Sequence, residues 1–132
     1  MKKAYICSPY RAKNEAELDR NIEYAQQLTK AALIAGIAPI TPHLYMTQCL
    51  NESIESQREI GLRAGMEILR NCDFVIAGVS YGISKGMSAE IAEADRLGLD
   101  IVNADKLDIY VAEQKRKAER ESWSVRNKDT ER

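Results

Sequence analysis

The residues with the clearest chemical potential are Glu90 and the stretch that precedes it. Residues 80–86 read Ser-Tyr-Gly-Ile-Ser-Lys-Gly, and a helical pattern follows at once, with Glu90 in its first turn. On a helical wheel of about 100° per residue with Met87 at the origin, Ile91, Ala94 and Leu97 fall within about 80°. Glu90 falls at about −60°, inside that apolar arc, while Glu93, Asp95 and Arg96 lie at or beyond its edges. An inward-facing carboxylate costs several kcal/mol unless something pairs with it. Free N–H groups and the macrodipole at a helix start offer part of that pairing. Two readings stay open: Glu90 caps its own helix or pairs with an arginine, or it is a nucleophile or general base. Glycosidic chemistry suits the second, because an oxocarbenium-like transition state is stabilised by a nearby carboxylate and can be trapped by it covalently.

Other residues could join it. Residues 80–86 hold two glycines and two serines ahead of a helix, the composition of an anion-binding turn, without Walker spacing. Arg11, close to Ser8, offers a charge-assisted contact to a phosphate; a solvated loop arginine is the alternative. His43 is the one histidine and stands between Pro42 and Leu44. A lone histidine is more often a structural hydrogen-bonding residue than a ligand or base. Tyr10 and Tyr45 could stack on a base or sugar, or simply pack where loop meets core. One histidine and three scattered cysteines give no zinc spacing, so no metal and no cofactor are expected.

The elements that must position these residues alternate. A strand is expected over 4–7, stopped by Ser8-Pro9, then a loop to Asn14 and a helix over 15–35. Leu18, Ile22, Ala25, Leu28 or Thr29, Ala32 and Leu33 set its apolar face, and Gly36 ends it. A short second strand covers 37–41, interrupted by Pro39, and 43–53 reads as loop with a helical turn. A helix over 55–71 carries Ile60, Ala64, Ile68 and Leu69 on one side, with Gly61 and Gly65 marking a close contact. The third strand, 74–79, is nearly continuous in apolar character, as parallel strands covered on both faces are. A helix over 85–97, a fourth strand over 100–104 and a tail helix from 106 to about 121 complete the chain. This is the pattern of an α/β domain with a parallel sheet between two helical layers. In such sheets ligands bind beyond the carboxyl ends of the strands, which gathers Ser8, Tyr10 and Arg11, His43 and Tyr45, and Ser84, Gly86 and Glu90 around one crevice.

The 132 residues fit one domain, with residues 1–105 as its body and 106–132 as a C-terminal helix and charged tail that belongs to the same domain or to an oligomer contact. Nineteen basic and twenty acidic side chains nearly cancel, so no field points to a nucleic acid polymer or a membrane surface. The odd cysteine count and the lack of a signal-peptide core or of an uncharged apolar run of about 18 residues point to a soluble, cytoplasmic protein.

Four segments carry a resemblance: Tyr5-Ile-Cys-Ser-Pro-Tyr-Arg11, Thr41-Pro-His43, Cys72-Asp-Phe-Val-Ile-Ala77 and Ser84-x-Gly86-x-x-x-Glu90. Between Lys3 and Val102 the chain resembles the nucleoside 2-deoxyribosyltransferase-like superfamily, which includes the nucleoside 5′-monophosphate N-hydrolases. The resemblance implies a Rossmann-like (flavodoxin-like) three-layer sandwich. It implies that Glu90 attacks an anomeric carbon, that Ser84, Ser8 and Arg11 meet a 5′-phosphate, and that Tyr10, His43 or Tyr45 lies against base or sugar. The transferases tend to carry aspartate where Ser84 stands, so a phosphorylated ligand is implied. In one respect the chain departs: the enzymes carry an aspartate, active in proton transfer to or from the base, where this chain has Gly65. The expected function is an N-glycosidase acting on a nucleoside 5′-monophosphate. The alternatives are a non-catalytic nucleotide-binding module and a base-exchanging deoxyribosyltransferase. The expected partners are a small-molecule nucleotide or nucleoside and, as in the family, further copies of the chain in a homodimer or higher oligomer.

Overall fold

The computed structural model describes residues 1–130, with side chains for residues 1–127; the last two residues of the expected tail lie outside the described residues. Four strands, β1 (Lys3–Cys7), β2 (Ala38–Ile40), β3 (Phe74–Ala77) and β4 (Asp100–Asn103), form one parallel sheet in the order β2-β1-β3-β4. They are joined by α1 (Glu15–Ile34), by α2 (Met46–Cys49) with α3 (Glu55–Arg70), and by α4 (Lys85–Arg96); α5 (Leu107–Thr130) follows β4.

The period-2 alternation of a strand divides the core. Ala4 and Ile6 of β1 and Phe74 and Ile76 of β3 pack on Leu28 and Ala32 of α1 and Leu107 of α5. Tyr5, Cys7 and Val75 point the other way, onto Leu69 of α3 and Met87 and Ala94 of α4. The three-layer α/β/α arrangement expected from the alternation of elements is therefore present. Two caps set the helices that matter most: the Asn14 side chain accepts from the Glu17 N–H at the start of α1, and Ser84 accepts from the Met87 N–H at the start of α4.

Several expectations are corrected. The strands are shorter than read, because Val79 and Ala104 lie past the last paired residues, Ala77 and Asn103, and Ile37 and Thr41 flank β2. The 43–53 stretch holds a 3₁₀ turn at Pro42–Leu44 and the single-turn α2 rather than open loop. Ile60 is 57% exposed, since Gly65 and Leu69 set the buried stripe of α3, and Leu33 is 59% exposed at the end of α1. The last helix does not stop near Glu121 but continues to Thr130: neither glycine nor proline breaks a run of strong helix formers. Finally, α4 starts at Lys85, so Glu90 sits in its second turn, below the free N–H groups rather than among them.

Candidate functional site

A cavity of about 620 Å³ opens beyond the carboxyl ends of β1 and β3, between α3 and α4. Seven of the eight residues picked out from the sequence line it: Ser8, Tyr10, Arg11, His43, Ser84, Gly86 and Glu90. Tyr45 does not. The 3₁₀ turn that begins at Pro42 swings it outward, where it is half exposed, and Met46 and Thr47 take the wall instead.

Glu90 is the centre of this arrangement. It is only 9% exposed. Among the described residues it forms no ion pair, and Ser84, not Glu90, caps α4, so neither of the bland readings of this carboxylate holds. Its partners come from β1. The Tyr5 hydroxyl stands beside the carboxylate, and Cys7 Sγ lies 3.8 Å from Glu90 Oε1 and 3.8 Å from the Met87 carbonyl. Two residues apart on a strand, Tyr5 and Cys7 share a face, and that face lies under α4. Burial pushes the Glu90 carboxyl up to about 7, while the Tyr5 and Cys7 hydrogen bonds pull it back toward the ionised form. Burial and then the neighbouring carboxylate push both donors well above their usual ranges, so each keeps its proton.

Gly65 explains how Tyr5 fits. A Cβ built on Gly65 would stand 3.2 Å from the Tyr5 hydroxyl, so this hydroxyl fills the space beside α3 where a side chain would otherwise project.

The rim toward α4 gathers hydrogen-bond donors. Ser84 Oγ accepts from Met87 N at 3.2 Å, which leaves its own proton free to donate outward. The Lys85 and Gly86 N–H groups have no backbone acceptor. Across from them, the Ser8 hydroxyl is 1% exposed and has no hydrogen-bond partner, an uncommon state for a buried polar atom. Arg11 lines the same rim without an ion pair among the described residues.

His43 is structural in its contacts. Its ring stacks on Tyr10 with centroids 5.3 Å apart and planes 18° from parallel, beside the Ser8 backbone. Burial pushes its pKa below the usual imidazole value, which favours the neutral ring. The far wall carries residues that the sequence reading did not select: Thr47, Glu52, Arg58 and Met66. Thr47 comes from the single-turn α2, Glu52 from the irregular segment after it and Arg58 and Met66 from α3; a single turn and an irregular segment carry no periodicity that announces which side faces inward. Tyr5 and Cys7 were missed although the alternation of β1 puts both on one face. Asn21 was missed as well. It is a buried polar residue on the stripe that runs through Leu18, Ala25 and Leu28, the same kind of anomaly that marked Glu90. No group of three or more metal-ligating side chains occurs among the described residues, and none of their helices is long and apolar enough to cross a membrane.

Comparison with known proteins bears on this arrangement. The fold is similar to that of the solved 2-deoxyribosyltransferase of Bacillus psychrosaccharolyticus, with a TM-score of 0.58 over 75% of this chain and 69% of that one. The two are 18% identical, so the likeness is one of fold. No curated protein matches the chain in sequence. Residues 2–104 match the family described as Domain of unknown function (DUF7768). Because that match takes in the whole sheet and the whole cavity wall, the chain belongs to the DUF7768 family.

Proposed function

We propose that the protein is an N-glycosidase that cleaves the bond between base and sugar in a nucleoside 5′-monophosphate, with Glu90 as nucleophile. The observation that carries this reading is one cavity holding a buried carboxylate with no ion pair among the described residues and, on its rim, hydrogen-bond donors left free for a ligand. In the first step a Glu90 oxygen attacks the anomeric carbon and the bond to the base nitrogen breaks. The bonding pair leaves with the base, which takes a proton from solvent. In the second step water attacks the same carbon and gives up a proton to solvent as the bond to the Glu90 oxygen breaks, releasing the sugar phosphate and restoring the carboxylate. Tyr5 and Cys7 hold the carboxylate in register and favour its ionised form. Ser84, Ser8, Arg11 and the N–H groups of Lys85 and Gly86 bind the 5′-phosphate, and Tyr10, stacked on His43, gives the sugar or base a flat surface.

The test is incubation with a panel of ribo- and deoxyribonucleoside monophosphates, with free base followed by chromatography. Base release by wild type, reduced about 10³-fold or more in Glu90→Gln, supports the reading. Equal inactivity of the two proteins on every nucleotide rejects it. A second reading, a module that binds nucleotides without cleaving them, is favoured by Gly65, which leaves a tyrosine hydroxyl in the space where related enzymes carry a carboxylate. It predicts saturable binding with the ligand recovered intact. Assembly into a homodimer or higher oligomer, as in the resembling family, is part of the first reading.

A further inference from the structure

Both arms of the proposed phosphate subsite are tied to the same turn of α1. Asn21, 1% exposed, points its side-chain amide into the loop after β1: Nδ2 donates to the Tyr10 carbonyl at 3.2 Å and to the Arg11 carbonyl at 3.4 Å. Its Oδ1 accepts from Arg20 Nη2 at 3.0 Å and Nε at 3.3 Å. The same guanidinium lies over the ring of Tyr81, 4.0 Å from its centroid. Tyr81 meets the ring of Tyr24 edge-on, with centroids 5.1 Å apart and planes at 82°. Tyr24 Oη in turn accepts from the Ser80 N–H at 3.2 Å. The contact chain is unbroken from the carbonyls of Tyr10 and Arg11 to the backbone of Ser80, and its three α1 members lie within a little over one helical turn.

The chemistry of each link fits a rigid brace. Every polar atom of the Asn21 amide is used, so the amide cannot flip without losing bonds at both ends. The planar guanidinium of Arg20 presents two donors to Asn21 while its face covers an aromatic ring, a combination a lysine cannot match. Gly78 lets α1 come this close, since a Cβ there would run into Leu28 and the Tyr24 hydroxyl.

We propose that Arg20, Asn21 and Tyr24 form a positioning brace that fixes the distance between the two arms of the phosphate subsite, the Ser8–Arg11 arm and the arm leading to Ser84. None of the three lines the cavity, so they act through the loops and not on the ligand. The phosphate assignment rests on the function proposed above; the mechanical coupling of the two loops does not.

The experiment compares wild type with Asn21→Ala, Arg20→Gln, Arg20→Lys, Tyr24→Phe and the double variant Asn21→Ala with Tyr24→Phe, each checked for a cooperative thermal transition. Amide NMR spectra read the coupling without any ligand. Tyr24→Phe, which removes only the acceptor of the Ser80 N–H, is expected to move resonances of residues 10–12 as well as 80–83. Should Asn21→Ala fail to fold, the half-buried Arg20 and Tyr24 positions carry the same test. Calorimetry then reads function. The single variants are expected to weaken binding of a nucleoside 5′-monophosphate about tenfold while leaving the parent nucleoside within about twofold. The double variant is expected to lose little more than the worse single one, because a brace cut once is cut. Arg20→Lys is expected to recover only part of the loss. Spectral changes confined to the loop each residue touches, strictly additive losses, or equal losses for nucleotide and nucleoside would overturn the brace. If wild type binds no nucleotide at all, the function proposed above fails, and the ligand-free spectra still decide the coupling.

Discussion

Glu90 is a carboxylate that its surroundings hold near the point of ionisation. Its folded-state value of about 7 lies above the ordinary value of 4.5, and burial is the main cause. Between those two values the folded protein holds a proton that the unfolded chain has released. Stability on account of this group is therefore full below about pH 4.5 and falls as the pH rises through 7. Glu90→Gln, neutral at every pH, is expected to be more stable than wild type at pH 8 by up to about 3 kcal/mol and nearly equal to it at pH 4. Thermal unfolding at the two pH values checks this. The nucleophile must be ionised to act, so base release is expected to rise with pH and level off above about 7. The Tyr5 hydrogen bond favours the ionised form, and Tyr5→Phe is expected to move this acidic limb to higher pH as well as lower the plateau. An unchanged limb in that variant would remove Tyr5 from the role given to it.

At the scale of elements, the site depends on where helices begin. Asn14 and Ser84 make the same capping bond, each accepting the N–H three residues on, at 2.8 Å and 3.2 Å. Replacing either by alanine is expected to cost about 1 kcal/mol of stability. Only Ser84→Ala is expected to weaken nucleotide binding too, because its hydroxyl faces the cavity rim while Asn14 caps a helix outside it. Denaturant titration and calorimetry on the two variants separate the cap from the binding role; equal affinities would take Ser84 out of the subsite.

At the scale of the molecule, the body and the tail are unevenly connected. Leu107, Tyr110 and Val111 of α5 pack on the core, Tyr110 donates to Asp100 at 3.1 Å, and Lys2 donates to Gln114 at 3.0 Å. From residue 115 to 126 the side chains are exposed, Trp123 at 63% among them. A chain ending at Ala118 is expected to keep its melting temperature to within about 2 °C. Calorimetry measures that, and sedimentation of the two chains shows whether the exposed half of α5 contributes to assembly.

The α/β class, the order of the elements, the crevice at the strand ends and the inward-facing Glu90 were all legible in the sequence. Each follows from a periodicity or a breaker that acts within a few residues of itself. Alternation over 4–7 separates Ala4 and Ile6 from Tyr5 and Cys7, Gly36 ends α1 at a φ of +83°, and a 3.6-residue repeat sets Glu90 beside Met87 and Ala94. Only the tertiary structure decided what meets Glu90, that Tyr45 turns away while Met46 and Thr47 turn in, and that Asn21 and Tyr24 tie the two loops together. Those facts depend on atoms brought together from distant parts of the chain, such as Cys7 and Glu90, and on backbone rotations in an irregular stretch without a repeat. Local pattern sets which face a side chain takes on its own element; the packing of the elements sets what that side chain meets.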